Sequence, residues 1–165
     1  MELSGSHSYN APLESLLEML SNPDAVAAKY HSMNQRDVKV EECDRREDSL
    51  RVVSSRVMDV DLPSFAKKVF RPTNTARQTD QWTRRDDGVW EGIFHVEIRG
   101  APVHIQGTMT LTPQDGRTVY DITAAVEVKV PLVGGRLADW LGNSEVRRSI
   151  ESESAFYDWW LQEHR

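Results

Sequence analysis

The residues best equipped for chemistry in this chain recur on alternate positions of short runs. In "ARQTDQWTR", Gln78, Asp80 and Trp82 share one parity, so an extended backbone sends an amide, a carboxylate and an indole to the same side. If that side is the interior, Asp80 needs a partner, because an unpaired buried carboxylate is too costly to keep. Arg56, in "SSRV", is the candidate cation, although Val52, Val53 and Val57 fall on both parities and leave its direction open. An Asp80–Arg56 pair would serve either as a structural ion pair or as a polar anchor for a bound molecule. A catalytic acid or base is the weaker expectation, since one carboxylate without a recognisable proton-transfer partner carries little signal.

A second constellation involves histidine. The loop "RGAP" joins two runs in a register that places Glu97 opposite His104 and His95 opposite Gln106. Two imidazoles and a carboxylate form a known ligand set for Zn²⁺ or Fe²⁺. Their parity is opposite to that of the apolar residues, however, so a solvated charge cluster on an outer face is favoured and no metal is expected. His7, His31 and His164 are isolated in sequence. Cys43, with no histidine nearby, reads as an inert thiol. Glycine-rich phosphate loops, Cys-x-x-Cys and Gly-x-Ser-x-Gly are all missing, so no cofactor is expected.

The elements that must position these groups follow from periodicity. "ELSGSHSYN" reads as a first strand. Ala11-Pro12 opens a short helix with Leu13, Leu16, Leu17 and Leu20 on one face, and Asn22-Pro23 starts another. From Asp37 the period is two: "VKVEEC" and "SLRVVSSRV" flank the turn "DRRED", and a short helical interruption, "LPSFAKKVF", follows. Four further strands, ending in "TVYDITAAVEVKV", are joined by turns rich in Gly, Pro and Asp. A long final helix runs from about Gly135 to about His164. It is expected to be interrupted or kinked at Gly142-Asn143: its two apolar patches are out of phase, and a break with Asn143 or Ser144 as a new cap would reconcile them. "PLVGG" before it reads as a hinge, with Pro131 ending the strand and Gly134-Gly135 freeing the backbone to turn.

Seven antiparallel strands with one buried face need a cover, and only the last helix is long enough to supply it. Trp90, Gly92, Phe94, Val96 and Ile98 share the inward parity. Val103, Ile105, Gly107, Met109 and Leu111 match them, as do Tyr120, Ile122, Ala124, Val126 and Val128. The small residues Gly92, Gly107 and Ala124 would either leave room for a cavity or simply let the sheet bend. Cavity-lining candidates are therefore Arg56, Gln78, Asp80, Trp82, Gly92, Phe94, Val96, Gly107, Met109, Tyr120 and Ile122, with Trp140 and Phe156 from the last helix.

Composition sets outer bounds. With 165 residues the chain is expected to form one domain spanning 1–165, and its net charge of −6 disfavours a general role with nucleic acid or anionic membrane. One cysteine excludes an internal disulfide, no signal peptide is recognisable, and no apolar run is long enough to span a membrane. A cytoplasmic location is the default expectation. Oligomeric state is not set by any of these features.

The order of elements resembles the helix-grip fold of the START-like, or SRPBCC, superfamily, which includes polyketide cyclases and birch-pollen-allergen-like proteins. The runs "DLPSFAKKVF", "DGVWEGIFHVEIRGAPVHIQGTMTLTP" and "KVPLVGGRLADWL" are similar to an actinobacterial branch known only as a domain of unknown function. The resemblance spans essentially the whole chain. It implies an α+β, helix-grip architecture: a seven-stranded curved antiparallel sheet, two short helices after the first strand, and a long C-terminal helix packed across it. It implies a hydrophobic cavity and brings no catalytic residue. The expected function is binding of a small apolar or lipid-like molecule between sheet and helix. Alternatives are an enzyme of cyclase or hydratase type on the same scaffold, or a structural, partner-binding domain with a filled core.

Overall fold

Alternation of apolar and polar residues builds one sheet. In the computed structural model, which describes residues 1–165, the strands are β1 (Glu2–Tyr9), β2 (Arg36–Arg45), β3 (Ser49–Asp59), β4 (Thr73–Arg84), β5 (Trp90–Ile98), β6 (Val103–Gln114) and β7 (Arg117–Val128). Every pairing is antiparallel and the spatial order is β1-β7-β6-β5-β4-β3-β2. The first strand thus pairs with the last, and β2 forms the opposite edge, where two register shifts bend it. Asp115 and Gly116, at φ +52° and +78°, make the two-residue β6–β7 turn, a backbone shape that Asp-Gly adopts readily.

Between β1 and β2 lie α1 (Leu13–Leu20) and α2 (Pro23–Ser32). Asn22 caps α2, its side-chain oxygen accepting from the Asp24 amide at 2.9 Å. A single helical turn, Ser64–Ala66, interrupts the β3–β4 connection. The final helix consists of α3 (Gly134–Leu141) and α4 (Arg147–Glu163). Inward parity holds: Trp82, Trp90, Leu111, Ala124 and Val126 are buried with Leu16, Leu17, Leu137 and Tyr157 in one apolar core. No helix is long and apolar enough to cross a membrane.

Two expectations about the final helix need correction. The interruption falls at Gly142-Asn143 as expected, but it is a π-helical turn over Gly142–Val146 rather than a break with a new cap, and helical backbone continues into α4. Ser144 does not cap a new helix, because its hydroxyl donates backward to the Trp140 carbonyl at 2.6 Å. The wider turn absorbs one extra residue. It thereby brings Leu141, Val146, Ile150, Glu153 and Tyr157, spaced five, four, three and four apart, onto one face. The hinge also differs from expectation. Positive φ falls on Leu132, at +68°, whereas Gly134 is needed for close approach: a Cβ there would lie 2.4 Å from the Val128 carbonyl oxygen.

Candidate functional site

Between the inner face of the sheet and the final helix lies a cavity of about 560 Å³, with 22 of its 36 lining residues hydrophobic. Its apolar part is supplied by Val96 and Ile98 of β5, Val103 and Ile105 of β6, Ile122 of β7, and Val146 and Ile150 of the final helix. Strand alternation and the π turn together aim these side chains at a common space.

Its other part is polar. Gln78, Asp80, Arg56, Lys29, Tyr30, Tyr120, Glu153 and Tyr157 all line it. The expected direct Asp80–Arg56 pair is not formed. Gln78 stands between them, its carbonyl oxygen accepting from Arg56 Nη1 at 3.2 Å while its amide donates to Asp80 Oδ1 at 2.9 Å. The Tyr30 hydroxyl donates to the same Gln78 oxygen at 3.3 Å, and the Arg56 guanidinium lies 4.1 Å from the Tyr30 ring centroid. Arg56 is buried, and its Nε has no hydrogen-bond partner. A buried donor of this kind is costly unless something accepts from it.

Lys29 is the second buried cation. Its Nζ donates to the Tyr157 hydroxyl at 3.2 Å and sits 3.6 Å from Glu153 Oε2. The Tyr120 hydroxyl lies 3.2 Å from Met109 Sδ and 3.4 Å from Glu153 Oε1. Burial by itself pulls the Lys29 ammonium toward neutrality, but Glu153, Tyr30 and Asp80 outweigh it and keep the group charged. At Asp80 burial prevails over Lys29, the Gln78 hydrogen bond and Arg56, so its carboxyl titrates above the ordinary carboxylate range. Burial likewise pushes the Tyr120 and Tyr157 phenols well above their usual value.

Of the residues singled out by sequence, Arg56, Gln78, Asp80, Trp82, Phe94, Val96, Met109, Tyr120, Ile122 and Trp140 face the cavity. Gly92, Gly107 and Phe156 do not. A Cβ on Gly92 would meet the Trp82 ring at 2.8 Å and Met109 Cε at 2.9 Å, so larger side chains already occupy the space above it. A Cβ on Gly107 would strike the Thr123 carbonyl oxygen at 1.8 Å, which makes that glycine a site of close strand approach. Phe156 packs against Tyr157, Trp159 and Trp160 instead.

Lys29, Tyr30, Glu153 and Tyr157 escaped the sequence reading. One signal was present: Glu153 falls on the same helical face as Ile150 and Tyr157, a charge inside an apolar stripe. Lys29 gave none, because α2 has little apolar periodicity. On the outer face the expected register, Glu97↔His104 and His95↔Gln106, is present. There His95 Nδ1 lies 3.7 Å from Glu97 Oε1, and its ring stacks on His104 with centroids 6.1 Å apart. Cys43 donates to the Ser21 carbonyl at 3.1 Å, and burial pushes its thiol pKa up.

Comparison with known proteins agrees with this architecture. An uncharacterized protein of Mycobacterium tuberculosis is 23% identical over 112 residues, which span 67% of this chain and 64% of that relative. The chain thus matches less than two thirds of its curated relative's length. A STAR-related lipid transfer protein of Xanthomonas axonopodis superposes with a TM-score of 0.67 at 12% identity, covering 98% of this chain and 85% of that one. The Zhui aromatase/cyclase of a Streptomyces species gives 0.62 at 16% identity, covering 98% and 93%. At such identities the likeness is one of fold: the START-like helix grip. With residues 4–161 matching its model, the chain belongs to the DUF2505 family, described as a protein of unknown function.

Proposed function

We propose that this protein binds a small, predominantly apolar molecule carrying one hydrogen-bond-accepting group. The observation that carries this reading is the cavity of about 560 Å³, with apolar walls and a polar part lined by Arg56, Gln78, Asp80 and Tyr157. An oxygen acceptor on the ligand pairs with the donors of that polar lining, and the Arg56–Gln78–Asp80 chain orients it. Affinity comes from the hydrocarbon, at about 2.5 kcal/mol per 100 Å² of apolar surface buried, before the costs of association. A filled-core structural role does not fit a cavity of this volume. The enzyme alternative gains no support of its own, since Asp80 and Glu153 are both engaged by neighbouring donors.

Native mass spectrometry of protein purified from its own host is the direct test: retained mass identifies the ligand. In parallel, uptake of an environment-sensitive hydrophobic fluorophore is expected for the normal protein. Ile122→Phe, which fills the apolar wall, should weaken that uptake about tenfold. Absence of both retained ligand and fluorophore binding sinks the reading.

A further inference from the structure

The β7–α3 turn presents apolar side chains to solvent. Leu132 is 104% exposed and Val133 42% exposed, two of the four large hydrophobic residues left open on the surface. The turn is tightly tied: the Val133 amide donates to Pro131 O at 2.8 Å and the Gly134 amide to Val130 O at 3.1 Å. Leu132 is held at φ +68°, a conformation leucine adopts only at a cost. Outward display of Leu132 is therefore built into the backbone.

The surrounding charge is unusual for an acidic chain. The segments 60–72 and 99–102 lie at the same end of the molecule as this turn. The Val60 amide bonds to Pro72 O, that of Arg99 to Thr75 O, and that of Lys129 to Pro102 O. Arg136 lies over the Phe65 ring at 4.0 Å, which brings α3 against the first of these segments. Lys67, Lys68, Arg71, Arg99, Lys129 and Arg136 are all exposed and none forms a salt bridge. Elsewhere most surface cations are paired with carboxylates. The nearby acids are Asp61 on the first segment, Asp139 on α3, Glu97 and Glu127 beside the second segment, and Asp59, which Arg36 and Thr73 already engage.

We propose that this end of the molecule docks peripherally on an anionic lipid surface, with Leu132 and Val133 entering the interface and the six unpaired cations facing the head groups. Unpaired cations on a body of net charge −6 create a polarity that orients the protein as it approaches. Exposed aliphatic side chains at the centre favour lipid over nucleic acid, because a phosphodiester backbone offers nothing for them to enter. Val60, Leu62, Phe70, Ile98 and Trp140, on or beside these segments, also line the cavity, so docking would turn that rim toward the lipid. The docking does not require that the cavity bind lipid.

The test is co-sedimentation of the full chain with vesicles made of equal parts phosphatidylcholine and phosphatidylserine, against phosphatidylcholine alone. Binding to the mixed vesicles at low ionic strength, lost as salt rises, is expected, with little binding to the neutral ones. Each cation contributes about fivefold in partitioning, so the double variant Lys67→Gln, Lys68→Gln should bind about 25-fold more weakly. Leu132→Asn, which suits a positive φ and leaves the turn intact, should reduce binding several-fold without altering its salt dependence. The proposal is overturned by equal binding to both vesicle types, by no binding to either, or by variants that sediment like the parent. Preferential capture by duplex DNA of comparable charge density also overturns it.

Discussion

The apolar and polar parts of the cavity are made by different means. Val96, Ile98, Val103, Ile105 and Ile122 reach the cavity because neighbouring strands place inward residues side by side, as in the register Val96↔Ile105. Each such side chain is interchangeable with another of similar volume, since burial of hydrocarbon is non-directional. Across the space, Lys29 meets Tyr157 from 128 positions away and Tyr30 meets Gln78 from 48. Those groups need fixed directions and fixed partners, because a lone charge there has no water to fall back on. The apolar part is thus robust and unspecific, and the polar part is fragile and specific.

The strongest way to break this contrast is to remove one buried charge. Lys29→Met should cost about 3 kcal/mol in urea denaturation, at the lower end of the range for a broken buried pair because Glu153 retains some solvent contact. Adding Glu153→Gln should return most of that loss. A single variant within about 0.5 kcal/mol of the parent would show that the polar part is not structurally coupled at all.

Gly107→Ala sharpens the comparison from the sheet side, with an expected loss of about 2 kcal/mol from overpacking against the Thr123 carbonyl. If alanine is accepted there without cost, close strand approach is not what selects glycine.

Asp80 gives a prediction in pH. Burial holds its carboxyl above the ordinary range, so the folded protein keeps that proton to higher pH than the unfolded chain does. Its contribution is complete below the unfolded pKa and is lost as pH rises through the folded value. Asp80→Asn removes the dependence. Melting curves of variant and parent should converge in acid, below the ordinary carboxylate range, and separate toward neutrality, with the variant the more stable. A gap that closes as pH rises would contradict the assignment.

The smallest expected effect concerns access. If the final helix gates the cavity, Gly135→Ala should slow uptake of an apolar fluorophore a few-fold while leaving its final affinity alone, because a gate acts on rates. Gly135 is the suitable position, since a Cβ there meets nothing, whereas one on Gly134 collides with backbone. Unchanged uptake in stopped-flow would reduce the glycine to shaping a turn.

Sequence alone determined the seven strands, both early helices, the β5–β6 register and most of the inward side chains. Strand parity and turn chemistry are local: they act through residues one or two positions apart, and "VWEGIFHVEIRGAPVHIQG" carries its own pairing. Only the tertiary structure decided the rest. It inserted Gln78 between Arg56 and Asp80 and chose Lys29 over any nearer cation as the partner of Glu153. It also gave the helix interruption the form of a π turn and closed Gly92 and Gly107 beneath their neighbours. The physical reason is that volume and charge compensation are settled between segments far apart in sequence, where a small residue means room only if nothing else has moved in to fill it.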